Sequence, residues 1–336
     1  MSEVICRNVS AIRTVSLANE TKWHLEEMLQ KFPVPTPETL SQYRAELLRV
    51  IVQLDTEILE AILKLGFDPS TESALLIKNS PLGRALPGTP LDGGRCLKED
   101  YVSENFVSAL GILLGQPVAF PREKKGELVA NLVPLPDQGH SVSNAGYLVP
   151  LDLHSDLVHL GANTPAFVLL LCLRGDPHGE AKTFHVDARD VLARLNPEEL
   201  EVLRTPRFRI ELPASFAADG EERLSPPMPV VTGPAFAPQL NGELNSTHAL
   251  DQSADRALRA LRAACYQPGV ARPLDLRDGD CLILRNRAAL HGRSTYSPQF
   301  EGDDRRWLQR LYVMADVWQA RHAMKGSSFL LDGLFM

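Results

Sequence analysis

The sequence predicts a mainly β fold with flanking α-helices, built on an antiparallel double-sheet barrel of the jelly-roll kind. Three observations lead there. Short strand-like runs dominate from Ala74 onward; long helical patterns are few; and no internal repeat is evident. The 336 residues are long for one domain and short for two. One domain over 1–336 is expected: an N-terminal helical region (1–72) packed on a jelly-roll core (73–336), with a lid insertion at about 212–250.

Residues 1–35 show weak periodicity. A single amphipathic helix is expected next, capped by Thr36 and opened by Pro37. Leu40, Tyr43, Leu47, Leu48, Ile51, Leu54, Ile58, Ile62 and Leu65 keep helical spacing until Gly66 and Pro69. "ALLIKN" reads as a buried strand, 80–97 as a long Pro/Gly-rich loop, and "VSENFVSALGILLG" as a second helix. Strands are expected at Glu127–Leu135, Gly146–His154, Ala166–Leu173, Ala181–Val186, Arg207–Leu212, Cys281–Arg285 and Leu308–Val317. Helices are expected at Asp187–Leu203 and Ser253–Cys265. The stretch 212–238, rich in Pro, Ala and Gly, reads as a surface excursion.

Composition excludes several classes of function. A net charge of −7 and no basic stripe argue against nucleic acid as a partner. The opening MSEVICRNVS lacks a basic region followed by an apolar stretch, so no signal peptide is expected. The longest clean apolar run, Ala166–Leu173, is too short to span a bilayer, so no membrane association is expected. Five scattered cysteines without a CxxC pair point to reduced thiols in a cytoplasmic protein and away from Cys-held zinc.

The stretch "LDLHSDLVHL" (151–160) puts a His and an Asp two residues apart in an apolar run. On a strand, His154 and Asp156 share one face and Ser155 takes the other. They are either polar groups at a strand end or two ligands of one metal, and His185 with Asp187 forms a second such pair. His291, after the apolar run Cys281–Leu284 and a short turn, is the best third ligand. Two His and one carboxylate with open positions suit a non-haem Fe(II) oxygenase. Arg306 and Arg310 follow. Arg310 is expected to point inward among Leu308, Leu311 and Val313, where it needs an anion. Only Asp303 and Asp304 are near in sequence, and a bound dicarboxylate would serve.

"LHSD", "PAFVLLLCLRGDP", "LHGRS" and "GDDRRWLQRLYV" together resemble the Fe(II)/2-oxoglutarate oxygenases of the clavaminate synthase-like and taurine dioxygenase superfamily. The nearest likeness is to the arginine and asparagine β-hydroxylases of peptide-antibiotic pathways. It runs from about Ala74 to Val317. It implies a double-stranded β-helix core, Fe(II) as cofactor, and 2-oxoglutarate and O2 as co-substrates. It implies hydroxylation of an unactivated C–H bond of an amino acid in specialised metabolism. His154, Asp156 and His291 would bind iron. Arg310 would take the distal carboxylate of 2-oxoglutarate with Thr183, and Arg306 the proximal end, with Arg305 as its rival. His185 and Asp187 become a decoy, with Asp187 capping a helix. The likeness favours hydroxylation over halogenation because Asp156 keeps the carboxylate, although the β-hydroxylases carry Glu there.

For the substrate, the likeness points to Asn245 and Glu243, and to Ser143 and Asn144 for the α-amino and α-carboxylate groups. Asn245 would suit a carboxylate or amide side chain, Glu243 a cation. Glu123 and Lys124 stand where the family has a Gln, which leaves open a modified amino acid or one tethered to a carrier protein. Desaturation or cyclisation at the same centre also stays open. From another class, a metal-free jelly-roll protein binding a small organic anion would leave His154 and Asp156 as ordinary polar residues.

Overall fold

The computed structural model describes residues 12–213, 216, 224–326 and 328–332. In chain order the elements are β1 (Arg13–Ser16), α1 (Asn19–Leu29), α2 (Leu40–Ile51), α3 (Thr56–Phe67), β2 (Ala74–Lys78), α4 (Val102–Leu114), β3 (Gln116–Val118), β4 (Val129–Leu132), β5 (Leu151–His154), β6 (Phe167–Arg174) and β7 (Thr183–Asp187). Then come α5 (Ala188–Leu192), α6 (Pro197–Leu203), β8 (Phe208–Ile210), β9 (Val231–Thr232), β10 (Gln239–Leu240), β11 (Thr247–Ala249), α7 (Gln252–Cys265), β12 (Arg272–Leu274), β13 (Cys281–Arg285), β14 (Ala289–Arg293) and β15 (Trp307–Met314).

Two sheets form the core, in keeping with the expected jelly roll. The larger runs β1-β2-β13-β6-β15-β3, with β4 also on β15; the smaller runs β12-β7-β14-β5. Pleating sorts the side chains of β6 into two layers. Val168, Leu170 and Cys172 face the smaller sheet, while Leu169, Leu171 and Leu173 pack against residues of α1–α4. A strand buried on both faces reads as a continuous apolar run, which is why "FVLLLCL" shows no alternation. The outer face of the smaller sheet (Leu153, Val186, Leu290) packs on α5–α7. The layers are therefore helices, sheet, sheet, helices, and polar side chains on the inner faces meet between the sheets.

Several expectations are corrected. The long N-terminal helix is two, because Asp55 is extended (φ −52°, ψ 138°) and restarts the chain as the N-cap of α3. Thr36 lies before α2, whose N-cap is Thr39; the two hydroxyls bond each other at 3.0 Å. The N-terminal region also supplies β1, parallel to β2, and α1, neither of which the weak periodicity revealed. The helix expected at Asp187–Leu203 is α5 and α6, the second opened by an Asn196–Glu199 capping box. Part of the expected lid lies outside the described residues. In its remainder Val230, Val231, Leu240 and Leu244 are buried in the cluster around α7, while residues 233–236 are exposed. Among the described residues, no helix is long and apolar enough to cross a membrane.

Candidate metal centre and its cavity

His154 ends β5, and Asp156 lies just beyond it. The chain there is clamped from both sides. The Ser155 N–H donates to the Gly242 carbonyl at 2.7 Å and its hydroxyl to the Ala289 carbonyl at 3.2 Å. Fully buried Asn286 accepts from the Asp156 N–H (2.8 Å) and donates to the Asp156 and Pro165 carbonyls (2.8 and 2.9 Å). Leu157 then takes a left-handed φ of +56°, which ends the strand and turns Asp156 inward.

His291 sits on β14 directly opposite His154. The register of β14 against β5 slips between His291 and Arg293, and Gly292 permits it: a Cβ there would lie 2.6 Å from the Leu151 carbonyl oxygen. His154 Nε2 is 3.4 Å from one Asp156 carboxylate oxygen and His291 Nε2 is 3.8 Å from the other. One ligand atom from each residue falls within 4.8 Å of the others. His154 Nδ1 points at the Asp152 carbonyl at 2.7 Å, which makes Nδ1 the donor and leaves Nε2 its lone pair.

The donor set fits a divalent metal. Asp156 Oδ2 is buried without a hydrogen-bond partner, an unfavourable arrangement that a cation between the three side chains would relieve. Burial works against the Asp156 charge, yet His154, His291 and Arg310 hold its carboxyl well below the ordinary range. Burial pushes His291 down to about 3, so it is neutral and able to ligate. Burial would also lower His154, but Asp156 and Glu243 outweigh it and hold the imidazole above its ordinary value.

The triad opens into a cavity of about 430 Å³ between the sheets. Arg310, Arg306, Thr183, Asn245, Glu243, Ser143 and Asn144 all line it, together with Glu123, Asp152, Glu211 and Arg293. The two arginines are placed otherwise than expected. Arg306 donates to the Thr183 hydroxyl at 3.2 Å, so these two form one subsite. Arg310 instead lies beside the triad, its Nη1 4.0 Å from Asp156, and donates to Glu123 at 2.5 Å. The contact with Thr183 that was expected beside Arg310 is thus made by Arg306. The protein carboxylate that Arg310 needs is Glu123, 187 positions away in sequence. Arg305 turns away from the cavity and bonds the Thr89 and Gly302 carbonyls.

His185 and Asp187 stay out of the metal centre. Ser73 Oγ donates to Asp187 (2.8 Å) and meets His185 Nε2 (3.0 Å), and Asp187 caps α5 through the Arg189 N–H. Ser143 is engaged in its own turn, with Ser141 Oγ and the Ala145 N–H, whereas the buried Asn144 Oδ1 has no partner.

Sequence reasoning missed Arg293. It lies two residues past His291 on the same face of β14 and opposite Thr183 on β7. Its side chain rests 5.1 Å over the Tyr296 ring, donates only to backbone carbonyls, and leaves Nε buried without a partner. Burial, with Arg306 adding to it, pushes this guanidinium down to about 10. The i, i+2 spacing in "HGR" was the available signal.

A family model described as "Taurine catabolism dioxygenase TauD, TfdA family" matches residues 98–312. An L-asparagine oxygenase of Streptomyces coelicolor is 32% identical over 265 residues, covering 79% of this chain and 78% of its own. An L-lysine 3-hydroxylase of Catenulispora acidiphila is 29% identical over 287 residues, covering 84% and 78%. The structure of an asparagine oxygenase in complex with Fe(II), 2S,3S-3-hydroxyasparagine and succinate superposes with a TM-score of 0.85. It shares 29% identity and covers 95% of this chain and 99% of that one.

Proposed function

Because the chain belongs to the TauD/TfdA family of dioxygenases, we propose that it is an Fe(II)- and 2-oxoglutarate-dependent hydroxylase acting on an unactivated C–H bond of a free amino acid with a polar side chain. The observation that carries this is one cavity holding a His154–Asp156–His291 triad, an Arg306–Thr183 subsite and an Arg310–Glu123 pair. Iron with its co-substrate supplies the oxygen activation that no protein side chain can perform.

The chain's own residues do the rest. His154, Asp156 and His291 would hold the metal. Arg306 and Thr183 grip the distal carboxylate of 2-oxoglutarate, with Arg293 as a second guanidinium beside them. Two buried guanidiniums with no acidic partner among the described residues make a site that an incoming carboxylate completes.

Arg310 and Glu123 offer the complement of a zwitterion. The α-carboxylate of the substrate takes the guanidinium and its α-ammonium takes the Glu123 carboxylate, so each charge of the pair is matched on exchange. This pairing supports a free amino acid over one tethered to a carrier protein through its carboxyl group, since tethering removes the anion that Arg310 would bind. The buried Asn144 carbonyl is a further acceptor for the ammonium.

The test is succinate release with Fe(II), ascorbate and 2-oxoglutarate across a panel of free amino acids, with mass spectrometry of each product. Turnover coupled to the gain of one oxygen atom is expected. Iron and 2-oxoglutarate binding with silence across the panel would refute the free-substrate reading, and failure to bind iron would refute the whole of it.

A further inference from the structure

The cavity is polar in the electrical sense. Its guanidiniums, Arg293, Arg306 and Arg310, are grouped with Thr183 and Glu123. Across the metal triad lie Glu243, Asp152 and Glu211, and among the described residues no Lys or Arg lines the cavity there. Glu243 forms a backbone bridge with His154, which places it against the triad on the side away from Arg310. Asp152 shares the inward face of β5 with His154. Glu211 sits half-exposed on the rim, 3.6 Å from His248.

The hydrogen-bonding character of this end follows from one contact. The Asn245 side chain meets an Asp152 carboxylate oxygen, and only its NH2 group can do so. That contact engages one of its two N–H donors, and its carbonyl oxygen is an acceptor. Tyr266 likewise gives its hydroxyl proton to Asp152 at 3.4 Å. Arg262 of α7 anchors the loop backbone, donating to the Leu244 carbonyl (2.7 Å) and the Thr247 carbonyl (3.2 Å). The far end of the cavity therefore offers acceptors and negative charge.

We propose that the substrate's side chain ends in a cation, an ammonium or guanidinium, recognised by Glu243 and Asp152 with Glu211 at the rim. This rests on the amino-acid hydroxylase reading above and decides between the two side-chain classes that Asn245 and Glu243 left open. A carboxylate side chain would face two or three like charges. A carboxamide would bring a neutral NH2 to these carboxylates and leave their charge uncompensated. A cation held here and an α-carboxylate on Arg310 stretch the substrate across the metal triad.

The experiment is calorimetric titration of the anaerobic enzyme loaded with Fe(II) and 2-oxoglutarate, using matched probes: L-arginine against L-citrulline, L-lysine against L-norleucine, and L-asparagine and L-glutamine as amides. The cationic member of at least one pair is expected to bind about ten- to a hundredfold tighter than its neutral partner, the range for hydrogen bonds to charged groups. Glu243→Gln, and separately Asp152→Asn, should shrink that gap while 2-oxoglutarate affinity holds. Glu211→Gln, at the half-exposed rim, supplies a variant with little folding risk and a smaller change of the same sign. Tighter binding of the neutral member in both pairs, or of either amide, overturns the inference and leaves the hydroxylase reading intact. Binding of no probe, with 2-oxoglutarate still bound, overturns it together with the free-substrate reading.

Discussion

Replacing Arg293 by Gln isolates the distal carboxylate subsite. In the ligand-free protein this guanidinium is buried, has no carboxylate partner, leaves Nε unsatisfied and stands near Arg306. Removing it relieves an uncompensated charge, so the melting temperature of the ligand-free protein should hold or rise. With 2-oxoglutarate bound, the same change deletes a charge-assisted hydrogen bond, about 1.5–3 kcal/mol. Part of that is returned as relief of the repulsion between the two guanidiniums, so a ten- to about hundredfold weaker Kd is expected. The assay is titration of the Mn(II)-loaded protein with 2-oxoglutarate and, in parallel, with 2-oxopentanoate, which lacks the distal carboxylate. The loss should appear for the first and vanish for the second. Equal losses for both ligands would mean that Arg293 merely supports the cavity wall. No loss for 2-oxoglutarate would refute the assignment.

Other consequences of the structure can be checked independently. Asn286→Ala strips three hydrogen bonds from the backbone around Asp156 and Pro165; Mn(II) affinity should fall about 10–100-fold, and chemical denaturation should show a loss of about 1–3 kcal/mol. Gly292→Ala drives a Cβ into the Leu151 carbonyl at 2.6 Å; because that neighbour is backbone, β5 and β14 must part, at a cost of about 1–3 kcal/mol, and circular dichroism melts should register it. Burial pushes His159 and His185 down to about 4. The native state therefore binds fewer protons than the unfolded chain below pH 6.5, and stability drains away as pH falls from there toward about 4. His159, whose Nε2 has no partner and whose ring packs on Phe216, is the cleaner probe. His159→Leu should flatten the acid limb of a stability–pH profile, and an unchanged limb would exclude it as a contributor.

What the sequence made legible was local. "LHSD" carries two ligands through a strand's period of two. "FVLLLCL" announces a strand buried on both faces, and Arg310 in "RWLQRLYV" could be seen to lie inward because it sits in an apolar run. What stayed hidden depends on which strands lie side by side. Thr183 and Arg306 are 123 positions apart and Glu123 and Arg310 are 187 apart. Only the placement of β15 against β4 and β6, facing β7 across the cavity, shows which arginine meets which partner. β14 was hidden for another reason. "ALHGR" looks like a turn because it pairs a glycine with polar residues, yet all five residues are buried. The glycine marks a close approach to β5, and the polar residues face the cavity rather than solvent. The N-terminal helix was over-read because Leu54 and Ile58 keep helical phase across a four-residue break, 52–55, that ends in extended Asp55. Periodicity reports which face is buried, and a kink that returns the chain to the same face leaves it unchanged. The same distinction governs the site. Residue types in the sequence show that candidate metal ligands and guanidiniums are present. What charge the cavity presents depends on what the fold gathers there, and Asp152, which no motif marked, joins Glu243 only because β5 turns it to the same face as His154.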